Sequence, residues 1–521
     1  METDRRGFLR WLGGALSVAS TGAVAAGGDR ALDIHAQTAN TRWGALGVRL
    51  RALQDPLAPF KSYPNAKGFG LPAIDARVAL PLAEAVRGYA PASGFRATAL
   101  SLAELSRLLY FTNGVTGRVP AGEGVVHLRA APSAGALYSG EVYVVARGIR
   151  GLDPGVYYYS VLEHRIVALR SGSFMGEVAS ALDAPAAFAD APAAILLTNV
   201  FRRYRQRYAN RGYRFALIDS GHIGENLRLA ARSAGLGAAG PLRFHDDALG
   251  ALLGVDGREE AVCAVHVVGH PGEAAPGVGR RFAEKQRVLP SGVTARADAP
   301  EGYHEATKLV PAAALGGRPD RPPTTRQSGA GVALPKGHAA PAATVEESIR
   351  TRRSAERFRD GPLSLEDLAF VLEMAGGHVA LRRVPGVDLH LVAHRVRGLA
   401  PGHYRVAPGA RRLDLVRAGD LRRSMTRACL GQEKAGAADA GFVMVARIAE
   451  AASRSGDRSY RDLLLESGGI GQRVYLAAEA SGLVARNLAA YRDAEFNALL
   501  GVDGRREAAV HLTLAGSRGR A

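Results

Sequence analysis

The chain is written twice. Tyr213 to Gly257 reads YRFALIDSGHIGENLRLAARSAGLGAAGPLRFHDDALGALLGVDG, and Tyr460 to Gly504 reads YRDLLLESGGIGQRVYLAAEASGLVARNLAAYRDAEFNALLGVDG. Aligned without a gap at an offset of 247, 21 of the 45 positions are identical, where a shared Ala/Gly bias would leave only a handful. The same offset joins Arg150-Gly151-Leu152, Pro154-Gly155 and Tyr157 to Arg397-Gly398-Leu399, Pro401-Gly402 and Tyr404. Farther upstream, Leu100-Ser101-Leu102 and Leu105 match Leu363-Ser364-Leu365 and Leu368 at an offset of 263. A period this long excludes a solenoid, whose units run to roughly 20–50 residues. It constrains the chain to two copies of one domain, each large enough to bury its own core.

The copies are expected over residues 60–270 and 344–516. Between them, residues 271–343 hold ten of the 26 prolines and sustain no apolar period, so a mobile, extended linker is expected there. Each copy reads as α+β. Ser101 caps a helix whose Leu102, Leu105, Leu108 and Leu109 share one face. Glu141–Ala146, Val156–Tyr159, Ala194–Thr198 and Val262–Val268 read as strands. Asp219 and Ser220 suit the N-cap of a helix carrying Ile223, Leu227, Ala230, Ala231 and Ala234.

Composition narrows the function classes. Two cysteines, Cys263 and Cys429, exclude a disulfide scaffold and a Cys-rich metal protein, and Cys263 sits in an apolar strand pattern that suits a core position. The formal charge is +18, yet only six of the 67 basic residues are lysines. An Arg-, Ala- and Gly-rich chain of this kind reflects compositional bias as much as a nucleic-acid surface. The N-terminus, Asp4-Arg5-Arg6-Gly7-Phe8-Leu9-Arg10 followed by an uncharged run from Trp11 to Gly28, resembles a twin-arginine export signal over residues 1–28. That run is only weakly apolar, so no stable membrane span is expected, and the address implied is the periplasm or cell envelope.

The chemistry-bearing motifs divide into weak and strong. Gly235-Leu236-Gly237-Ala238-Ala239-Gly240 fits G-x-G-x-x-G but follows a helix instead of opening one, so a helix C-terminal turn explains it better than a dinucleotide loop. Gly254-Val255-Asp256-Gly257 is most simply a turn. Pro132-Ser133-Ala134-Gly135 presents a hydroxyl and backbone N–H groups on a rigid turn, suited to the edge of a polar heterocycle or to a plain loop. Tyr204 to Tyr213 interleaves Arg and Tyr, Arg207 and Tyr208 among them, near a helix start, where a solvated charged face is the alternative. Arg350 to Phe358 clusters Arg and Ser in a way that suits a phosphate.

Taken together, PSAGALY, RGLDPGVYYY, RYANRGYRFALIDSGHIGENLRLAA and LLGVDGREE resemble the nitroreductase-like flavoproteins, in the order and spacing of the SagB/ThcOx-type dehydrogenase branch. The resemblance implies two nitroreductase-like domains, each a mixed sheet flanked by helices, forming a pseudodimer within one chain. It implies FMN as cofactor and an oxidoreductase acting on a small-molecule or peptide substrate; members of the branch oxidise azoline rings in peptides. The family's Arg-x-Ser phosphate segment survives here as Arg352 and Ser354, with Arg357 nearby, but in the first copy it has become Tyr89-Ala90-Pro91-Ala92. The ring-binding turn survives as Pro132, Ser133, Ala134 and Gly135, and is missing from the second copy after Gly376. One FMN per chain, shared between the copies, is therefore expected, with the second site silent.

The branch's Lys-Tyr pair appears as Arg207-Tyr208, the catalytic candidates, with Arg454-Ser455 in the second copy. Arg keeps its proton, so it can stabilise negative charge but makes a poor base. His222 either touches the substrate side or ends a helix. An NAD(P)H-driven reductase of nitro compounds or quinones, and a non-catalytic basic binding protein that keeps the fold, are the competing readings.

Overall fold

The computed structural model describes residues 29–40, 58–74, 80–121, 124–182, 185–240, 243–273, 282–284, 300–311, 331–335, 340–358, 361–377 and 386–518. The twin-arginine segment, most of the Pro-rich stretch and residues 378–385 lie outside these.

Each copy folds into a seven-stranded sheet. The first contains β1 (Gly68–Gly70), β2 (Gly140–Ala146), β3 (Gly155–Ser160), β4 (Arg165–Ser171), β5 (Ala193–Val200), β6 (Gly237–Ala239) and β7 (Glu260–Gly269), in the spatial order β1-β4-β3-β2-β5-β7-β6. The second contains β8 (Gly331–Ala333), β9 (Val387–Ala393), β10 (Gly402–Val406), β11 (Arg412–Ala418), β12 (Ala440–Arg447), β13 (Val484–Asn487) and β14 (Glu507–Gly516), and repeats that order as β8-β11-β10-β9-β12-β14-β13. Even the irregularities repeat: the bulge between Leu197 and Thr198 in the β5–β7 pairing recurs between Met444 and Val445, 247 residues on. The α+β class holds, with strand direction antiparallel instead of mixed in every pairing of both large sheets.

The helices that matter for the site are, in chain order, α1 (Asp29–Gln37), α2 (Leu82–Arg87), α3 (Leu102–Asn113), α4 (Phe201–Tyr208), α5 (Gly212–Ser233), α6 (Asp246–Leu253), α7 (Pro300–Ala306), α8 (Val345–Thr351), α9 (Ile448–Ser455), α10 (Ser459–Ala480) and α11 (Asp493–Leu500). Ser101 caps α3 as expected, in a reciprocal capping box with Glu104. Gly235 and Gly482 adopt left-handed φ values of 73° and 70° just past the ends of α5 and α10. The next N–H groups, of Leu236 and Leu483, reach back to the Ala231 and Ala478 carbonyls at 2.8 Å. This is a helix C-terminal turn, which disposes of the dinucleotide motif.

The N-cap assignment of Asp219 and Ser220 is corrected. The helix begins seven residues earlier, at Gly212, so both residues lie in its interior and both are buried. A helix enclosed on nearly all sides draws its stability from tertiary packing, so local capping preference loses to burial.

Helices α5 and α10 cross at the centre of the molecule, each buried along almost its whole length. The crossing falls at Gly221 and Gly468, again 247 residues apart. A Cβ on Gly221 would strike the Leu465 carbonyl oxygen, and one on Gly468 the Ile218 carbonyl oxygen. The two backbones touch there, and the identical Ser-Gly pairs of the repeat mark a pseudo-twofold axis.

Around this axis the copies exchange arms. Helix α7 precedes the second copy in sequence, yet it packs against α4 and α5 of the first; α1 packs against α9 of the second. Arg214 on α5 donates to Thr38 Oγ1 at 2.7 Å, to the His35 carbonyl at 2.5 Å and to Asp493 at 2.7 Å. Arg461 on α10 makes the same three contacts with Thr307 Oγ1, the His304 carbonyl and Asp246, at 2.6, 2.5 and 2.6 Å. Arg211 and Arg458 complete the pattern on Asp493 and Asp246, each at 2.6 Å. The expectation of an extended linker over residues 271–343 therefore fails at α7 and at β8, which forms the edge of the second sheet. Short elements held by partners distant in sequence carry no period of their own to betray them.

Candidate active site

Helix α8 begins just after Thr344 and is followed by Arg352, whose side chain crosses to the first copy. Its Nε donates to the Ala130 carbonyl at 3.2 Å and its Nη2 to the Arg129 carbonyl at 3.1 Å. Those carbonyls lead directly into Pro132-Ser133-Ala134-Gly135. The structure thus brings the Arg-x-Ser segment of one copy to the Pro-Ser turn of the other. Ser354 Oγ lies 2.9 Å from Tyr475 Oη on α10, which also accepts the Asn487 N–H at 2.7 Å. The Arg352 guanidinium stands 5.2 Å from the Tyr475 ring centre. Tyr475 and Asn487 join the site through these contacts; the sequence reading did not single them out.

The charge pattern suits an anion. Arg352 is 4% exposed, and its hydrogen bonds go to backbone carbonyls and not to a carboxylate. Burial lowers its proton affinity, as it does for the neighbouring Arg129. Lys434 is held below its ordinary range by burial and by the charge of Arg486, with Glu356 opposing and Arg357 adding to the fall. Arg486 in turn donates to the Ala355 carbonyl at 2.8 Å. Buried and half-buried cations whose hydrogen bonds go to backbone carbonyls, beside an exposed serine, create a place where a phosphate is favourable. Arg357 itself is exposed and belongs to this group through charge alone.

The Pro-Ser turn is held in an uncommon shape. Gly135, Ala136 and Tyr138 have φ values of 63°, 54° and 47°. Gly135 has no room for a side chain: a Cβ there would meet the Tyr208 hydroxyl, with Arg207 Nη1 3.3 Å away. Arg207 and Tyr208, at the end of α4, therefore sit directly on the turn, both half-buried. Burial raises the Tyr208 hydroxyl above its ordinary range, Arg207 pulls it down and Asp219 adds to the rise. Ala209 follows at φ 48°, ψ −135°, a region that glycine populates, and the second copy has Gly456 in its place. Such backbone strain costs roughly 1–3 kcal/mol. Ala209→Gly is expected to raise unfolding stability by about 1 kcal/mol in urea titrations; an unchanged or lower stability would count against strain here.

His222 is fully buried in the interior of α5, where its Nε2 accepts from Asn487 Nδ2 of the other copy at 2.7 Å. It lies neither on an accessible face nor at a helix end. Burial lowers its proton affinity well below the ordinary imidazole range, so it is neutral. Cys263 is buried, with a thiol pushed up to about 11, which fits a core residue.

The symmetry-related position carries a different set of side chains. Tyr89 replaces Arg352, Pro91 replaces Ser354 and Arg228 replaces Tyr475, so the Arg–Tyr stacking recurs with its partners reversed, the Arg228 guanidinium 5.5 Å from the Tyr89 ring centre. Arg228 pairs with Glu225, and Arg473 crosses over to Glu225 at 3.0 Å. Arg473 also donates twice to the Ala375 carbonyl, at 3.1 and 3.0 Å, and approaches Glu466 at 3.7 Å. At the first site these charged positions are Gln472, Tyr475 and Asn226. A buried cluster of two arginines and two glutamates occupies the second position. The missing second turn begins beyond Gly377, and residues 378–385 are outside the described set.

Among the described residues no group of three His, Cys, Asp or Glu side chains is placed to hold a metal, and no helix is long and apolar enough to cross a membrane.

The fold has known relatives. A solved structure from Anabaena variabilis, named as a nitroreductase, superposes with a TM-score of 0.74 at 25% identity, covering 94% of this chain and 99% of its own. A protein of Methanocaldococcus jannaschii, also named as a nitroreductase, is 33% identical over 154 residues, 30% of this chain and 74% of that protein. The trifolitoxin-processing protein TfxB of Rhizobium leguminosarum bv. trifolii is 33% identical over 180 residues, 32% of this chain and 47% of that protein. The profile of the nitroreductase family matches twice, at residues 93–270 and 349–516, which are 178 and 168 of the 521 residues. With the same topology in both halves and both matched, the chain belongs to the nitroreductase family as a tandem of two of its domains.

Proposed function

We propose that the chain is an FMN-dependent oxidoreductase of the SagB/ThcOx type, with one flavin held between the two copies. The observation that carries this reading is the crossing of Arg352 to the carbonyls that lead into the Pro132–Gly135 turn. The residues present fit the group. Arg352, Ser354 and Arg357 would hold the phosphate, and Pro132, Ser133, Ala134 and Gly135 would meet the ring edge. Bound FMN supplies hydride transfer at N5. Arg207 stabilises negative charge and orients the substrate over the turn. Tyr208, kept protonated by burial, donates from its hydroxyl. A peptide or a peptide-like small molecule is the favoured substrate class, supported by the likeness to a toxin-processing protein.

The test is the absorbance spectrum of the purified full chain with a flavin count per chain. One FMN per chain is expected. Two would show that the second position also binds. None, even after FMN is added, would favour a basic binding protein that has kept the fold. Anaerobic mixing with NADPH separates the nitro or quinone reductase reading, because rapid bleaching of the flavin would support that reading.

A further inference from the structure

Resting on the flavin reading above, we propose that Asp219 takes up and returns the proton of the reaction through Tyr204 Oη and Ser133 Oγ. Asp219 projects from the buried interior of α5 to the underside of the Pro-Ser turn and is 6% exposed. Tyr204 Oη donates to Asp219 Oδ2, and Ser133 Oγ lies 2.7 Å from Tyr204 Oη. Ser133 Oγ also accepts the Tyr138 N–H at 2.9 Å. A continuous chain of hydroxyls therefore runs from the carboxylate to the turn that the cofactor edge would face.

Counting donors fixes what this chain can do. With Asp219 ionised, Tyr204 donates to the carboxylate and the Ser133 hydrogen points inward, to Tyr204 Oη or to the carboxylate itself. Ser133 then has one lone pair left and offers an acceptor outward. With Asp219 protonated, every bond reverses. Asp219 donates to Tyr204, Tyr204 donates to Ser133, both lone pairs of Ser133 are used, and its hydrogen points outward as a donor. One protonation event inside the helix thus inverts the polarity of the group presented at the turn.

The site needs such a group. Bound flavin would supply the hydride acceptor when two hydrogens leave a substrate, which leaves one proton for residues of this chain to place. Ser133 Oγ takes that proton while passing its own to Tyr204 Oη, and Tyr204 passes its own to Asp219, which ends as a carboxylic acid. Each hydroxyl gains one proton and loses one. Arg207 keeps its proton, and burial raises Tyr204 and Tyr208 above their ordinary range, so none of the three accepts a proton near neutrality. Burial pushes Asp219 up to about 7, against the downward pull of Tyr204, Ser133 and the Ala134 N–H. The titratable groups facing it are Tyr204 and Tyr208 on α4 and Tyr138 behind the turn, with Arg207 the cation on the same helix. In the second copy the corresponding acid, Glu466, lies 3.7 Å from Arg473 within the buried cluster, and no turn serine is there to relay a proton.

The experiment compares the full FMN-loaded chain with Asp219→Asn and Tyr204→Phe. Two readouts are taken: the flavin midpoint potential against pH, and the rate at which photoreduced flavin is reoxidised by p-benzoquinone. The wild-type potential is expected to change slope near pH 7. Asp219→Asn should lose that break, and both variants should reoxidise about a hundredfold more slowly. A break that persists in Asp219→Asn, or wild-type reoxidation in Tyr204→Phe, overturns the role of Asp219. If Asp219→Asn fails to hold flavin, Tyr204→Phe, which keeps the ring, carries the same decision. A wild-type chain that takes up no FMN overturns the flavin reading itself, a result distinct from a flavoprotein whose variants behave like wild type.

Discussion

Asp493→Ala is expected to destabilise the chain by about 3–5 kcal/mol, because it strands two buried guanidinium groups. Arg211 and Arg214 are 4% and 1% exposed and reach Asp493 at 2.6 and 2.7 Å. Both come from the first copy, and Asp493 opens α11 of the second. Truncating the acid removes the attraction but leaves the desolvation cost of both cations in place. The contact also helps anchor the α1 arm, since the Asn40 N–H donates to Asp493 at 2.8 Å. The halves should therefore loosen from each other first, and urea unfolding should split into two transitions. A loss below about 1 kcal/mol with a single transition would show that the pair adds little.

The same pair has a pH signature. Burial raises the Asp493 carboxyl, but Arg211, Arg214 and the Asn40 N–H outweigh it and hold the group at about 2. A depressed acid contributes stability that is full above the unfolded value of about 3.9 and is lost as pH falls through the folded value. The wild type should lose this part of its stability between about pH 4 and pH 2, and Asp493→Ala should not.

Arg352→Ala combined with Ser354→Ala is expected to abolish flavin retention. Charge-assisted bonds to a phosphate contribute roughly 1.5–3 kcal/mol each, so losing the pair weakens binding by at least about a hundredfold. The protein should leave gel filtration colourless. Pro91→Ala, at the matching position of the second site, should keep one flavin per chain. A double variant that stays yellow would remove the phosphate assignment. The arrangement that makes this test sharp is asymmetric: Arg352 is buried with its hydrogen bonds on backbone carbonyls, whereas Arg228 and Arg473 across the axis pair with Glu225 and Arg473 approaches Glu466.

Part of the arginine content has a use inside the molecule. Arg129, Arg214, Arg458, Arg461 and Arg473 are among the largest fully buried side chains. They serve contacts between the copies and around the site. A charge count could not separate these from a surface patch, because it carries no information on depth.

The repeat determined the duplication, since a 247-residue offset preserved in gapless identity permits only two equal folds, and apolar patterning gave the α+β class and the four central strands of the first copy. Gly221 and Gly468 stand among the identical positions with nothing to single them out, and their reason, backbone contact between crossing helices, shows only when the copies are docked. The H-x-x-T of His35 to Thr38 recurs at His304 to Thr307, but at an offset of 269 and too briefly to rise above chance. Only the structure revealed those arms as a reciprocal exchange. Asp219 was misplaced for a related reason. An Asp-Ser pair before an apolar run reads as a cap when only neighbours in sequence are weighed. In the fold it lies mid-helix, and its partners Tyr204 and Ser133 are 15 and 86 residues away. The substitutions that distinguish the second position, Glu225 for Gln472, Arg228 for Tyr475 and Arg473 for Asn226, were visible in the aligned copies from the start. That they converge on one buried place was decided by the tertiary structure, because residues on two crossing helices share a site only through the angle and depth at which those helices pack.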